Sequence, residues 1–573
     1  MKRTLFSVVA LLLSGLPSLA QTYEQVAPKT PEAGAVPPLP SAIPPPAEGS
    51  DRIIIPALRG VVFLRGSGEV RPGGVETTGV QAGAVPLLDQ PRFRAMVESR
   101  LGQPLTLRSL NQLVHDTVVY LKKNDRPIVD VLVPEQNVSG GTVQIVVLEG
   151  VLGRVTAEGT RWFSPERIAR TVRSSSGQVI AGQSLLQDLS WLNQNPFRQV
   201  DLVFARGQAP GETDIVLRAR DRRPLRLYAG YDDSGTALTG DERVQAGINW
   251  GNAFGLEHLL NYQFTASTDF SRMVAHAGSY VVPLTRWRQT FTVFGSYAES
   301  EPELEGGLFD LTGKSWQVSA RHSVPLKSFL GLTHDVTGGI DFKRSNNNLA
   351  FGGMEVFAQE TDVVQGSLAY SAARPDRAGA TSLVLLAVYS PGGLSSGNHT
   401  SRFRASRAYA DPEYAYGRLT VERTTRLPHG FTWSTRGVYQ LSTSNLLGSE
   451  QLGLGGYDVL RGYEEREGNG DEGGYLINEI HAPAQRVLSR IWRQAPSDRL
   501  TPLAFLDCGH VRSHRRLVDE PSSVRMASAG VGVRYALSTH LTARLDYGWQ
   551  LRDSGVSDGR LKHRGHFSLT VAY

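Results

Sequence analysis

From residue 224 to the last residue the chain keeps a period of two, with apolar and polar side chains alternating in segment after segment between turn residues. Successive side chains of a strand point to opposite faces, so this pattern builds a sheet with one apolar and one polar side. Residues 541–551 are the clearest case. Leu541, Ala543, Leu545, Tyr547, Trp549 and Leu551 share one face, and Thr542, Arg544, Asp546, Gly548 and Gln550 the other. Residues 243–250 repeat it, with Val244, Ala246, Ile248 and Trp250 opposite Arg243, Gln245, Gly247 and Asn249. A soluble sandwich also alternates, but it buries its apolar face in a filled core. Here the polar face carries Arg, Asp and Gln repeatedly, as the wall of a wet lumen would. Similar segments near residues 225, 258, 273, 288, 314, 333, 361, 380, 413, 431, 473, 501, 527 and 564 bring the count to about 16 strands, an even number that fits a closed antiparallel barrel. At about 22 residues per strand and loop, each repeat accommodates a tilted spanning strand of about 9 to 11 residues. The last residues, His566 to Tyr573, place Phe567, Leu569, Val571 and Tyr573 on one face, which reads as a closing strand turned toward lipid and as the signal for insertion.

The start of the chain explains how such a barrel reaches a membrane. Residues 1–20 read as a secretory signal peptide: Lys2 and Arg3 come first, an apolar run follows, and Ser18-Leu19-Ala20 supplies small residues at the cleavage position. No later run reaches the roughly 18 apolar residues of a spanning helix, so insertion has to be by strands. Residues 21–51, with Pro37, Pro38, Pro40, Pro44, Pro45 and Pro46, read as an extended, semi-rigid linker.

Residues 52–150 and 151–223 alternate helical and strand patterns and read as two small β-α-α-β-β modules. In the first, Leu107, Leu110, Leu113, Val114, Val118 and Leu121 recur at helical spacing, before strands at 127–133 and 142–148 that turn at Gly140-Gly141. In the second, Ser164-Pro165-Glu166 starts a helix, Leu185, Leu186, Leu189 and Leu192 line another, and strands follow at 200–204 and 214–218. The fold class is therefore α+β modules followed by an all-β barrel, which occupies residues 224–573.

Composition narrows the function. Cys508 is the single cysteine of the 573 residues, which excludes an intramolecular disulfide framework and argues against a thiolate metal site. The 60 Lys and Arg against 55 Asp and Glu are spread without a basic block, so nucleic acid is not an expected partner. The 13 histidines fall in no Ser-His-Asp or metal spacing, and the expectation is a protein that is not an enzyme and carries no cofactor.

One stretch stands apart. Residues 449–480 hold two glycine-rich runs around a charged middle and read as one long loop, with Leu460-Arg461-Gly462-Tyr463 at its centre. A cation there is flanked by a residue that permits unusual backbone angles and by an aromatic that can wedge against a wall.

Five stretches in order resemble the TpsB transporters of two-partner secretion, in the superfamily of outer-membrane barrels that carry POTRA modules. Val133-Pro134-Glu135-Gln136 with Gly140-Gly141 and Leu148-Glu149-Gly150 is similar to the end of the family's first POTRA module. Leu192-Asn193-Gln194-Asn195-Pro196-Phe197-Arg198 resembles a loop of its second, and Gly230-Tyr231-Asp232-Asp233-Ser234-Gly235 its first barrel strand. Leu460-Arg461-Gly462-Tyr463 resembles the tip of its inward-folded sixth loop, here residues 449–473, and Phe505-Leu506-Asp507-Cys508-Gly509 the strand on which that loop docks. The resemblance implies that Arg461 lies inside the barrel paired with Asp507, that Gly462 lets the tip approach the wall, and that Tyr463 packs there. Phe505, Asp507 and Gly509 then form the docking strand. Glu479 is a second candidate acceptor whose face the sequence leaves open, and Cys508 is expected to point to lipid. Many members begin with a helix that plugs the pore, for which residues 21–50 show little room.

The implied function is export of a large partner exoprotein, unfolded, from the periplasm across the outer membrane. The POTRA modules would bind the partner's N-terminal secretion domain by strand addition. Barrel-assembly machinery and outer-membrane lipid are the other expected partners. A barrel-assembly or insertion factor of the same superfamily is the first alternative, and a porin with accessory domains the second.

Overall fold

The computed structural model describes residues 23–573 apart from 35–36, 38, 40–42, 44, 210, 303–308, 330, 352–353, 489–496, 519 and 557–561, and side chains at 309–311, 347–351 and 354–358 are likewise left aside. The expected signal peptide lies outside the described residues. The chain forms two compact units, Pro31–Pro224 and a second made of Met1–Thr30 with Leu225–Tyr573.

The first unit contains both modules. In the earlier one a four-stranded sheet has the order Gly79–Gln81, Gly60–Leu64, Thr142–Glu149, Val129–Leu132. Helices α1 (Pro91–Glu98) and α2 (Leu107–Lys123) belong to the same module. Thr106 caps α2 by accepting from the Ser109 N–H, and Ser109 caps back, which satisfies two donors that the first turn would otherwise leave open. Leu110, Leu113 and Leu121 enter the core with Phe63 and Phe93, whereas Leu107, at the very start of the helix, is exposed. In the later module Val151–Glu158, Glu212–Asp221 and Arg198–Arg206 form a sheet in that order, with α3 (Pro165–Arg170) and α4 (Gly182–Leu192). Ser164 caps α3 as its sequence suggests. Leu185, Leu189 and Leu192 are buried but Leu186 faces out, since 185, 189 and 192 already complete the helical stripe. The Asn-rich loop after α4 has a local reason: Asn193 accepts from the Val200 N–H at 2.7 Å and donates to its carbonyl at 3.0 Å, pinning the loop to the next strand.

In the second unit sixteen strands close into an antiparallel barrel. They are β1 (Leu225–Asp232), β2 (Arg243–Ala253), β3 (His258–Ser267), β4 (Met273–Leu284), β5 (Gln289–Ser300), β6 (Phe309–Pro325), β7 (Thr333–Phe351) and β8 (Met354–Pro375). The other half is β9 (Gly379–Pro391), β10 (Glu413–Arg426), β11 (Thr432–Ser442), β12 (Glu472–His481), β13 (Asp498–Arg512), β14 (Val524–Leu537), β15 (Leu541–Gln550) and β16 (His563–Ala572). Closure is between β1 and β16, from Tyr228 opposite Ala572 to Asp232 opposite Ser568. The alternation has the expected sense. On β15, Leu545 is 59 % exposed on the outer face while its neighbour Asp546 is fully buried on the inner one. Strands β6, β7 and β8 run to 17, 19 and 22 residues, well past the 9 to 11 that a bilayer needs, because their ladders continue as paired hairpins.

Two expectations need correction. Residues 472–480 are not loop: they lie in β12, which pairs with β13 from Glu472 and with β11 from Gly473 onward. Nor is the N-terminal stretch a linker from residue 21 onward. Tyr23–Val26 is a turn of helix within the barrel unit, with Val26 buried against Met273, Ala275, Ala277 and Ala298 and the Tyr23 ring 4.5 Å from Phe294. Lys29 then reaches Asp232 on β1 at 3.3 Å and Thr570 on β16 at 3.4 Å.

Candidate functional site

The connection from β11 to β12, residues 443–471, folds into the lumen. Its own short hairpin, Leu452–Leu454 against Gly468–Gly470, gives it a spine, and Leu452, Leu454, Leu460 and Tyr463 pack with Val438, Val511, Val524 and Met526 of the inner wall. Gly509 leaves room for this: a Cβ there would lie 3.0 Å from Leu454 Cδ2.

At the tip, Arg461 is 2 % exposed. Its Nε donates to Asp507 Oδ2 at 2.8 Å and its Nη2 to Oδ1 at 2.9 Å, the forked geometry a guanidinium offers a carboxylate. Nη1 donates to Glu479, so that residue's side chain faces inward, and a third carboxylate, Asp546, stands 3.8 Å away. The guanidinium carbon lies 3.6 Å from the centre of the Phe505 ring, which adds a cation–π contact to the bonds the carboxylates accept. Phe505, Asp507 and Glu479 lie on neighbouring strands in the register Glu479 opposite Phe505. The surplus acid is balanced from the wall, by Arg534 to Asp546 at 2.7 Å and to Glu479 at 3.5 Å, and by Arg544 to Asp546 at 2.6 Å. Burying so many charges is tolerable only because each is paired.

Gly462 has φ +92° and presses on Gly548, where an added Cβ would sit 3.1 Å from the carbonyl. Its N–H points to His566 Nε2 at 3.2 Å, and its carbonyl accepts from Gln550 at 2.8 Å. Tyr463 is fully buried. Its hydroxyl accepts from the Ala527 N–H at 3.0 Å and lies 2.8 Å from the Ala527 carbonyl and 2.5 Å from that of Arg552. Glu465, in the loop and outside the spanning strands, has its carboxyl pushed up to about 7, chiefly by burial and then by Asp458, against the pull of the Tyr457 N–H and Arg466.

The base of the loop is held on the opposite side of the lumen. Glu450, 1 % exposed, accepts from Lys343 of β7 at 2.7 Å, Gln365 of β8 at 3.1 Å and Tyr416 of β10 at 3.1 Å. At the end of the barrel far from Leu225, buried Asp471 accepts from Arg407 and from the N–H groups of Leu446 and His514, tying three connections together. Sequence reasoning missed Glu450, Asp471, His566 and the Asp546 cluster. The last carried a signal, since Arg544 and Asp546 alternate on the polar face of β15.

On the closing strand, Leu569, Val571 and Tyr573 are exposed on the outer face, while Phe567 is half-buried beside Tyr231 at 5.1 Å. Cys508 is also exposed on that face.

Residues 211–535 match the family model of the haemolysin secretion/activation proteins ShlB/FhaC/HecB, and residues 75–150 that of the ShlB-type POTRA domain. The chain belongs to the haemolysin secretion/activation family. Members of this TpsB group are outer-membrane transporters of two-partner secretion with periplasmic POTRA domains, and so is this chain. The outer membrane transporter CdiB of Dickeya dadantii is 24 % identical over 487 residues, 81 % of each chain. The hemolysin transporter protein ShlB of Serratia marcescens is 23 % identical over 75 % of each. The solved structure of CdiB from Escherichia coli superposes with a TM-score of 0.72 at 20 % identity over 94 % of both chains, and that from Acinetobacter baumannii with 0.62 at 16 % over 96 % of this chain and 95 % of that one, which establishes the shared fold.

Proposed function

We propose that this transporter exports one or a few large exoproteins in unfolded form and performs no catalytic step itself. Residues 52–150 and 151–223 act as the receptor. Each sheet ends in an edge strand, Val129–Leu132 in one and Arg198–Arg206 in the other, where an extended segment of the partner's N-terminal domain can add by main-chain hydrogen bonds. Insertion of the barrel itself is left to the cell's assembly machinery, which reads the outward face of β16.

The loop is the gate in this reading. The observation that carries it is the placement of Arg461, held by Asp507 and Glu479 inside a lumen that the loop crosses, from Glu450 on β7, β8 and β10 to Arg461 on β12 and β13. A passing chain has to displace that loop, and a charge cluster partly reached by water lets it go at a cost the incoming segment can offset.

Deleting residues 52–150 tests the receptor half. The expected outcome is a barrel that still inserts and shows heat-modifiable migration but exports no partner. Export at the parental level by the deleted form would remove the first module from the receptor.

A further inference from the structure

We propose that His566, oriented by Asp233, is a positioning residue for the tip of the loop, and that through it the docked loop is joined to the seam where the barrel closes. This rests on the loop being the gate. His566 is 1 % exposed on the inner face of β16, with Nδ1 2.9 Å from Asp233 Oδ2 and Nε2 3.2 Å from the Gly462 nitrogen. An ionised carboxylate only accepts, so the Nδ1 edge carries the proton. The bare Nε2 of the neutral ring is then the acceptor that the Gly462 N–H needs. Both partners thus select the same tautomer.

The carboxylate does a second task. The β1–β16 ladder stops at Asp232 opposite Ser568, and just beyond it the Asp233 N–H still donates to the Phe567 carbonyl at 3.3 Å while Asp233 Oδ1 accepts from the Phe567 N–H at 2.8 Å, so the side chain takes the place of the returning main-chain bond. A single chain of polar contacts therefore runs from the loop tip, through a ring on the last strand, to a carboxylate following the first. Two further contacts grip the same seam from inside: Tyr457 of the loop meets Ser568 at 2.6 Å, and Lys29 of the N-terminal segment bridges Asp232 and Thr570. Arg461 fixes the tip to β12, β13 and the neighbouring Asp546, but it reaches neither strand of the seam. His566 supplies that connection directly to the Gly462 backbone.

A histidine that merely filled the wall would act on barrel closure and be indifferent to the state of the loop. The two roles separate in purified protein in planar bilayers, with no partner present, so the result does not depend on whether export is read correctly. His566→Ala is expected to raise the frequency of channel opening about three- to tenfold, the scale of one lost hydrogen bond. His566→Gln, which can donate to Asp233 and accept from Gly462, is expected to restore the parental frequency. In an Arg461→Ala background, where the tip is already loose, His566→Ala is expected to add little. Parental opening in His566→Ala overturns the proposal, and so does the same fold-increase in both backgrounds. If His566→Ala lowers the yield of folded barrel, the Gln variant decides, and an opening frequency unlike the parent's refutes the assignment.

Discussion

Arg461→Ala should loosen the loop more than Asp507→Ala, and the structure gives the size of the difference. Removing the guanidinium takes away two bonds to Asp507, the bridge to Glu479 and the stacking on Phe505. Breaking a buried ion pair costs about 3–5 kcal/mol when a charge is left uncompensated. Here Arg534 and Arg544 still neutralise Asp546, and Arg534 still reaches Glu479, so Asp507 alone is stranded. The lower end applies: about 3 kcal/mol, or roughly 150-fold in the ratio of docked to released loop. Asp507→Ala leaves Arg461 with Glu479 and with Asp546 at 3.8 Å, so its loss is nearer 2 kcal/mol, roughly 30-fold. Because both substitutions break the same contact, the double variant should lose about 3 kcal/mol rather than 5, a coupling of about 2 kcal/mol. Channel-opening frequency in bilayers, with partner export measured alongside and heat-modifiable migration as the control for folding, reads each quantity. Strict additivity, or an Arg461→Ala protein that opens and exports like the parent, would refute the lock.

Gly462→Ala should act on the same equilibrium, since φ +92° and the 3.1 Å approach to Gly548 leave a Cβ strained, by about 1–2 kcal/mol or roughly five- to thirtyfold more opening; unchanged opening would show that the tip relaxes freely. Glu465 predicts a pH dependence. Its carboxyl is raised to about 7 in the docked loop, so docking is strongest below the ordinary carboxylate range and weakens as pH rises through about 7; opening should increase from pH 5 to pH 8, and Glu465→Gln should flatten the profile. Leu569→Arg places a charge on the outer face of the closing strand at about 2–4 kcal/mol near the midplane and less toward either interface, and should lower the membrane yield of folded barrel; an unchanged yield would count against that face meeting lipid.

Strand number and sense were legible because inner and outer faces differ chemically at almost every position, as Leu545 and Asp546 show. Glu479 was harder for a local reason. Leu476, Ile477 and Ile480 put apolar residues on both faces of β12, so alternation does not say which way its neighbours point. Arg461 and Asp507 were found through motifs, but nothing near Asp546 in sequence says that, of all the inward carboxylates, this one stands beside Arg461. The seat of the N-terminal segment is the extreme case. Tyr23–Val26 is too short to show a period, and what holds it, Gln317, Gln263 and the alanines of β4, lies more than two hundred residues away. A stretch rich in proline after that turn made the whole region read as a spacer.

The placement of the loop also bears on how the molecule is assembled. Arg461 and Gly462 find their hydrogen-bonding partners downstream, from Glu479 at a separation of 18 residues to His566 at 104. The last six strands therefore carry the lock almost complete, and its formation requires few distant segments to meet first. A chain that has laid down β11 to β16 can seat its loop while the opposite wall is still being added. The bond from His566 to Asp233, and the grip of Glu450 on Lys343 and Gln365, wait for the first half of the barrel, so those contacts are where a finished pore differs from an unfinished one.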